Sequence, residues 1–213
     1  MPPKPKFSRE EIITAAYNLV RKKGSDAVTA REVGKQLGVS SSPIFTMFRD
    51  MEELRVGVTA RAKATFDKYI NEAEGYTPAF KKRGMQWVKF AQEEPMLFRL
   101  LFMCDNGSDT DFDSVLNNIP FGNESDIEII THDYHATPEQ AQELFRQMWI
   151  YTYGLCSLCA AKVCRFTDEE ISLQLSEIFF GMVSVLKNGD KTQLAQMPTA
   201  NGTPKGEWPD LSK

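Results

Sequence analysis

The sequence predicts an all-α protein in which a small three-helix N-terminal unit precedes a larger helical bundle. Helix-start signals recur along the chain, and the apolar residues behind them repeat at helical rather than alternating spacing. No segment reads as a strand. At 213 residues there is room for one small and one medium domain. No run approaches the roughly 18 apolar residues of a membrane span, and Met1-Pro-Pro-Lys-Pro-Lys6 has no apolar signal core behind it, so the expectation is a cytoplasmic protein with no membrane partner.

The first helix is expected over residues 9–23. Ser8-Arg9-Glu10-Glu11 has the form of a capping box, in which the serine oxygen accepts from the third helical amide and the glutamate reaches back. Ile12, Ala15, Ala16, Leu19 and Val20 share one face, Arg21-Lys22-Lys23 suit the negative end of the dipole, and Gly24 offers a left-handed stop. Thr29-Ala30-Arg31-Glu32 reads as a second capping box, opening a short helix with Val33 and Leu37 inward and Gly38 as its stop. Ser40 is expected to cap a third helix, with Pro43 in its first turn and Ile44, Phe45 and Phe48 on its apolar side. Two short helices joined by a tight Gly38-Val39 turn are the helix-turn-helix signature, whose second helix enters the major groove of DNA.

The body follows. Asp50-Met51-Glu52-Glu53 opens a long helix to about Glu74, and Thr77-Pro78 starts another that carries Phe80, Trp87, Phe90 and Ala91. Pro95 begins a helix to Met103. Residues 104–124 read as a loop with one short helix, and Ser125-Asp126-Ile127-Glu128 as the cap of the next. Thr137-Pro138-Glu139-Gln140 combines N-cap, proline and capping box for a helix to about Val163. Thr167-Asp168-Glu169-Glu170 repeats the device for a helix over 168–187. The expected division is 1–50 for the reader, 51–189 for the bundle and 190–213 for a tail poor in large apolar residues.

Charge divides the same way. Residues 1–50 carry nine basic side chains against five acids, a surplus of four positive charges on a chain whose overall net charge is −4. A cationic head on an anionic body suits a protein that presents one end to a polyanion.

The stretch Thr29-Ala30-Arg31-Glu32-Val33-Gly34-Lys35-Gln36-Leu37-Gly38-Val39-Ser40, followed by Ser41-Ser42-Pro43-Ile44-Phe45-Thr46-Met47-Phe48 and Met51-Glu52-Glu53-Leu54, resembles the reader domain of the tetracycline-repressor (TetR) family. The resemblance implies a homodimeric repressor on a palindromic double-stranded operator, released by a small, largely apolar effector. Phe45 stands where the family usually has tyrosine and Met51 where it has lysine, which removes two phosphate contacts. Trp149-Ile150-Tyr151-Thr152-Tyr153-Gly154 resembles the Trp-His-Gly element of one C-terminal subclass, with Tyr153 in the histidine's place.

From these readings Thr29, Arg31, Ser40, Ser41, Ser42, Phe45, Thr46, Met47 and Arg49 are expected at DNA. Trp87, Phe90, Phe98, Phe102, Phe121, Trp149 and Tyr153 are expected to line a ligand pocket, since such cavities are mostly apolar and aromatic. Leu144, Met148, Leu155, Leu175, Ile178, Phe179 and Met182 are expected at the dimer interface, because both terminal helices carry apolar stripes too wide for one neighbour. A helical ligand carrier or scaffold whose basic head binds a non-DNA partner is the alternative.

Other chemistries find little support. His132 and His135 are the only histidines and lie in a polar stretch. Asp109, Asp111 and Asp113 alternate like a calcium loop, but Ser114 and Pro120 stand where that loop needs glycine and glutamate. There is no phosphate-binding glycine loop, dinucleotide fingerprint or nucleophile elbow, so neither an enzyme, a cofactor nor a metal is expected. Cys104, Cys156, Cys159 and Cys164 sit in apolar, helix-like surroundings and read as reduced thiols, with Cys156 and Cys159 packed in a core.

Overall fold

The computed structural model describes residues 7–103, 111–118 and 123–188. Among these residues the chain forms ten α-helices and one short 3-10 turn, with no strand. The all-α expectation holds. Helix α1 (Arg9–Lys23) has its full capping box, with the Ser8 amide donating to Glu11 at 2.7 Å. Gly24 ends it at φ 88°, ψ 172°, so the stop is a mirror-extended glycine rather than the expected left-handed helical one.

Helix α2 (Ala30–Gln36) is capped by Thr29, whose hydroxyl accepts from the Glu32 amide. The expected reciprocal half of that box is absent. The Thr29 amide already donates to the Ala27 carbonyl at 2.9 Å, and the Glu32 carboxylate turns instead to Lys23 at 3.3 Å. Helix α3 (Ser42–Met47) starts after Ser41, with Pro43 in its first turn and no side-chain cap, which corrects the placement of Ser40 as its N-cap. Ser40 is consumed by the turn. A Cβ on Gly34 would lie 2.9 Å from the carbonyl oxygens of Val39 and Ser40, so α2 and the turn approach as closely as only glycine permits. Gly38, at φ 69°, makes the reversal.

Helix α4 (Met51–Asn71) ends three residues before Glu74. Bonds from Ala73 to Ile70 and from Glu74 to Asn71 tighten the chain into a turn ahead of Gly75. Its buried residues Leu54, Val58, Ala62 and Phe66 recur every fourth position. Four residues turn a helix about 40° past a full revolution, so this stripe winds around the rod. Leu54 and Val58 lie in the half that meets α1, where Gly57 is crowded by Ile13, while Phe66 meets the rings of the body.

Helices α5 (Ala79–Glu93), α6 (Pro95–Phe102), α7 (Phe112–Asn118), α8 (Asn123–Tyr134), α9 (Pro138–Ala160) and α10 (Asp168–Asn188) make the body. The central element is α5, which packs on α4, α6, α8, α9 and α10. Ser125 lies inside the first turn of α8 rather than capping it, because that helix starts at Asn123. Helix α9 stops at Ala160 rather than Val163: Lys162 is left-handed at φ 58° and the Val163 amide returns to the Leu158 carbonyl. Cys156 and Cys159 are buried, and burial pushes both thiols up, Cys159 to about 11. Cys104, Asp109 and Phe121 lie outside the described residues.

Candidate nucleic-acid interface and cavity

Helix α3 is anchored from behind by Ile44 and Phe48, both buried in the core that α1 supplies through Ile12, Ala16 and Val20. Arg9, at the first position of α1, locks the end of α3. Its guanidinium lies 4.2 Å from the centre of the Phe48 ring, donates to the Met47 carbonyl at 3.0 Å and pairs with Glu53 at 2.8 Å. Sequence reasoning missed this role, since nothing local marks one arginine of a helix start as a clamp across 38 residues.

With its back fixed, the unit presents Arg31, Lys35, Ser40, Ser42, Phe45, Thr46 and Arg49 to solvent. Phe45 is 50% exposed, a large ring on the outer side of α3, while Phe48 just past the helix end is buried. The expected set divides on closer view. Thr29 is exposed, but its oxygen is held as the α2 cap. Ser41 is half-buried at the start of α3, and Met47 packs partly into the core, as does Met51. Thr46 donates to the Ser42 carbonyl at 3.4 Å, leaving its oxygen free to accept. Arg49 is exposed and leans on Asp50 at 2.9 Å, which raises the guanidinium pKa.

The body holds a cavity of about 330 Å³, partly open to solvent and near the lower end of the ~300–1,000 Å³ typical of ligand sites. Helix α5 contributes Phe80, Gly84 and Trp87 to one wall, and α9 contributes Phe145, Met148, Trp149 and Thr152 to another. Phe66, Phe102 and the α10 residues Leu175, Phe179 and Phe180 complete it. Trp87 and Phe102 meet at 5.5 Å between ring centres, Trp87 and Trp149 at 5.6 Å, so the wall is a continuous aromatic surface.

Of the expected pocket residues, Trp87, Phe102 and Trp149 are brought to the cavity. Phe90 and Phe98 are not: both are fully buried in a second layer, where Phe90 supports Phe66 and Phe98 supports Phe102. Tyr153 also stands behind the wall, stacked on Trp149, with its hydroxyl donating to the Phe102 carbonyl at 2.9 Å. Phe121 lies outside the described residues.

The expected interface residues are largely turned inward. Leu144, Met148, Leu155, Leu175 and Phe179 are buried within the single chain, and Met148, Leu175 and Phe179 line the cavity. Ile178 and Met182 are partly buried against the same core. The stripes are claimed by α5 and α8, not left over. What α9 and α10 expose is a different set: Ile150 and Leu158, and Leu173, Phe180 and Val185.

Polar groups missed by sequence reasoning sit in the cavity wall. Arg83 and Asp126 form an ion pair with Nε 2.8 Å from Oδ1, and burial pushes the Asp126 carboxyl up to about 6 against the opposing pull of Arg83. Asp126 had read only as part of a helix cap. The histidines take no part: His132 is exposed with Nδ1 2.9 Å from Asp133, and His135 follows the helix end at φ 54°. Among the described residues no group of three or more metal-ligating side chains comes together, and no helix is long and apolar enough to cross a membrane.

Fold and surface together define a helical protein with a helix-turn-helix head and a hollow body. Residues 12–58 match the family model described as "Bacterial regulatory proteins, tetR family", which spans α1 to the first part of α4 and leaves the body unmatched. No curated protein matches the chain.

Proposed function

We propose that this chain is a DNA-binding transcriptional regulator that acts as a homodimer and leaves its operator when a small, largely apolar molecule enters the body. The observation that carries the reading is the head: an α3 rigidly backed by Ile44, Phe48 and the Arg9 clamp, with Ser42, Phe45 and Thr46 facing outward. The match of residues 12–58 to the tetR-family model supports it. Short polar side chains on such a helix reach base edges, while Arg31, Lys35 and Arg49 supply cations for phosphate.

Release follows from connectivity. Phe102 lines the cavity and belongs to α6, and α6 packs on α1. A ligand that binds better when α6 is displaced lowers DNA affinity by its differential affinity for the two arrangements. Dimerisation uses the outer faces of α9 and α10, where Ile150, Leu158, Leu173 and Phe180 await cover. The cytoplasm and a repressor's sign of action belong to the same reading, as does the likeness of 149–154 to the Trp-His-Gly element.

The test is selection of duplexes from a random pool by the full-length protein. Enrichment of a palindrome with half-sites one helical turn or more apart supports the reading. Binding without sequence preference, or none, rejects it in favour of a carrier whose basic head meets another partner.

A further inference from the structure

The cavity's charged corner specifies more than "apolar". Its titratable lining groups are Lys81, Arg83, Asp126 and Tyr134, two cations facing one carboxylate and one phenol. Although Arg83 Nε and Asp126 Oδ1 are 2.8 Å apart, neither atom finds an aligned hydrogen bond, and the Trp87 indole Nε1 is likewise buried without a partner. Arg83 and Trp87 are four residues apart on α5, so the two side chains that carry these donors leave the same side of the helix one turn apart. Buried donors without acceptors are costly, and a ligand that brings the acceptor recovers that cost as affinity.

We infer that the cavity takes a monocarboxylate with a flat apolar body of about two fused rings, its carboxylate held by the Arg83 guanidinium and the Trp87 indole N–H. This rests on the reading of the cavity as the effector site. The aromatic walls fit the rings and the volume fits the size. The cationic surplus decides among heads. An amine would meet Lys81 and Arg83, and an alcohol would leave the one positive charge that Asp126 does not balance unanswered. A second carboxylate also favours the neutral form of Asp126, whose carboxyl burial already raises to about 6, and the protonated acid then adds a donor.

The experiment is calorimetric titration of the full-length protein with 2-naphthoic acid, 2-naphthylmethanol and 2-naphthylmethylamine, which share one ring system. The acid is expected to bind about tenfold more tightly than the alcohol, with the amine weakest. Trp87→Phe keeps the ring and removes only the donor, and should weaken the acid about fivefold. Arg83→Met with Asp126→Asn, which removes the guanidinium and its partner and leaves Lys81 as the corner's cation, should reduce the acid's advantage. Alcohol or amine binding as tightly as the acid, no binding of the acid at millimolar concentration, or an acid affinity indifferent to Trp87→Phe overturns the inference. Should the double variant fail to fold, the wild-type ranking and Trp87→Phe decide it. Acid binding that leaves DNA affinity unchanged refutes the effector reading alone. DNA release by the neutral alcohol with no preference for the acid refutes the carboxylate alone.

Discussion

Arg21, in the last turn of α1, grips Glu94, the residue between α5 and α6, with both prongs of its guanidinium: Nε donates to Oε2 at 2.7 Å and Nη2 to Oε1. The Glu94 side chain is only 11% exposed, and the carboxylate raises the Arg21 pKa in turn. Head and body are thus joined by a bidentate ion pair as well as by apolar packing.

Cutting that pair should therefore cost stability. Arg21→Ala leaves a mostly buried carboxylate without its donor, and should lower the unfolding free energy by roughly 1–3 kcal/mol in urea titration. Arg21→Ala with Glu94→Gln should lose less than the sum of the single changes, because the neutral amide tolerates burial better. Additive losses would mean that the two residues act independently.

Surface and interior on the last two helices should separate cleanly. Leu173→Lys and Ile150→Asp, at exposed positions outside the cavity wall, should yield a sedimenting monomer with near-normal melting. Leu175→Ala and Phe179→Ala empty volume beside the cavity and should cost roughly 2–4 kcal/mol while leaving assembly intact. A dimer that survives Ile150→Asp places the interface elsewhere.

For the head, Arg31→Ala should weaken binding to every duplex alike and flatten the slope of log affinity against log salt by about one unit. Phe45→Tyr should tighten binding without changing the preferred sequence, since the exposed ring would gain a hydroxyl for phosphate. A shift in preferred sequence by either variant would place that residue at bases.

Stability should also depend on pH through Asp126. Its carboxyl is raised from 3.8 to about 6 in the folded chain, so folding favours the protonated form. That advantage is complete below about pH 4 and is lost as pH rises through about 6, by up to about 3 kcal/mol for a two-unit shift. Denaturant titrations of wild type and Asp126→Asn at pH 4, 5, 6 and 7 should show the wild type losing ground relative to the variant across that window. Parallel profiles would show the carboxyl to be unperturbed.

The helices were legible because their signals are local. Ser8 and Glu11, or Thr137 and Gln140, speak to amides three residues away, and both boxes form as read. Which side of a wide apolar stripe faces inward is not local. Leu175 and Phe179 carry nothing to show that Phe80 of α5 lies opposite, with ring centres of Phe80 and Phe179 6.3 Å apart. Their assignment to an outer face failed for that reason. Asp126 was opaque for another: an acid in the first helical turn satisfies the dipole wherever it points, so its contact with Arg83, 43 residues earlier, leaves no trace in the spacing.

The winding stripe of α4 has a mechanical consequence. Phe66 belongs to the cavity wall and Leu54 to the half beneath the head, twelve residues apart along one uninterrupted helix. At about 1.5 Å per residue this is a lever about 18 Å long, and tilting it by about 5° at the cavity end moves the other end about 1.5 Å. In the proposed two-fold assembly both levers would swing in opposite senses, so the gap between the two α3 helices would change by about twice that, a mismatch that groove spacing would register directly. On the proposed reading, a ring pushed aside in the cavity would be read out as a length.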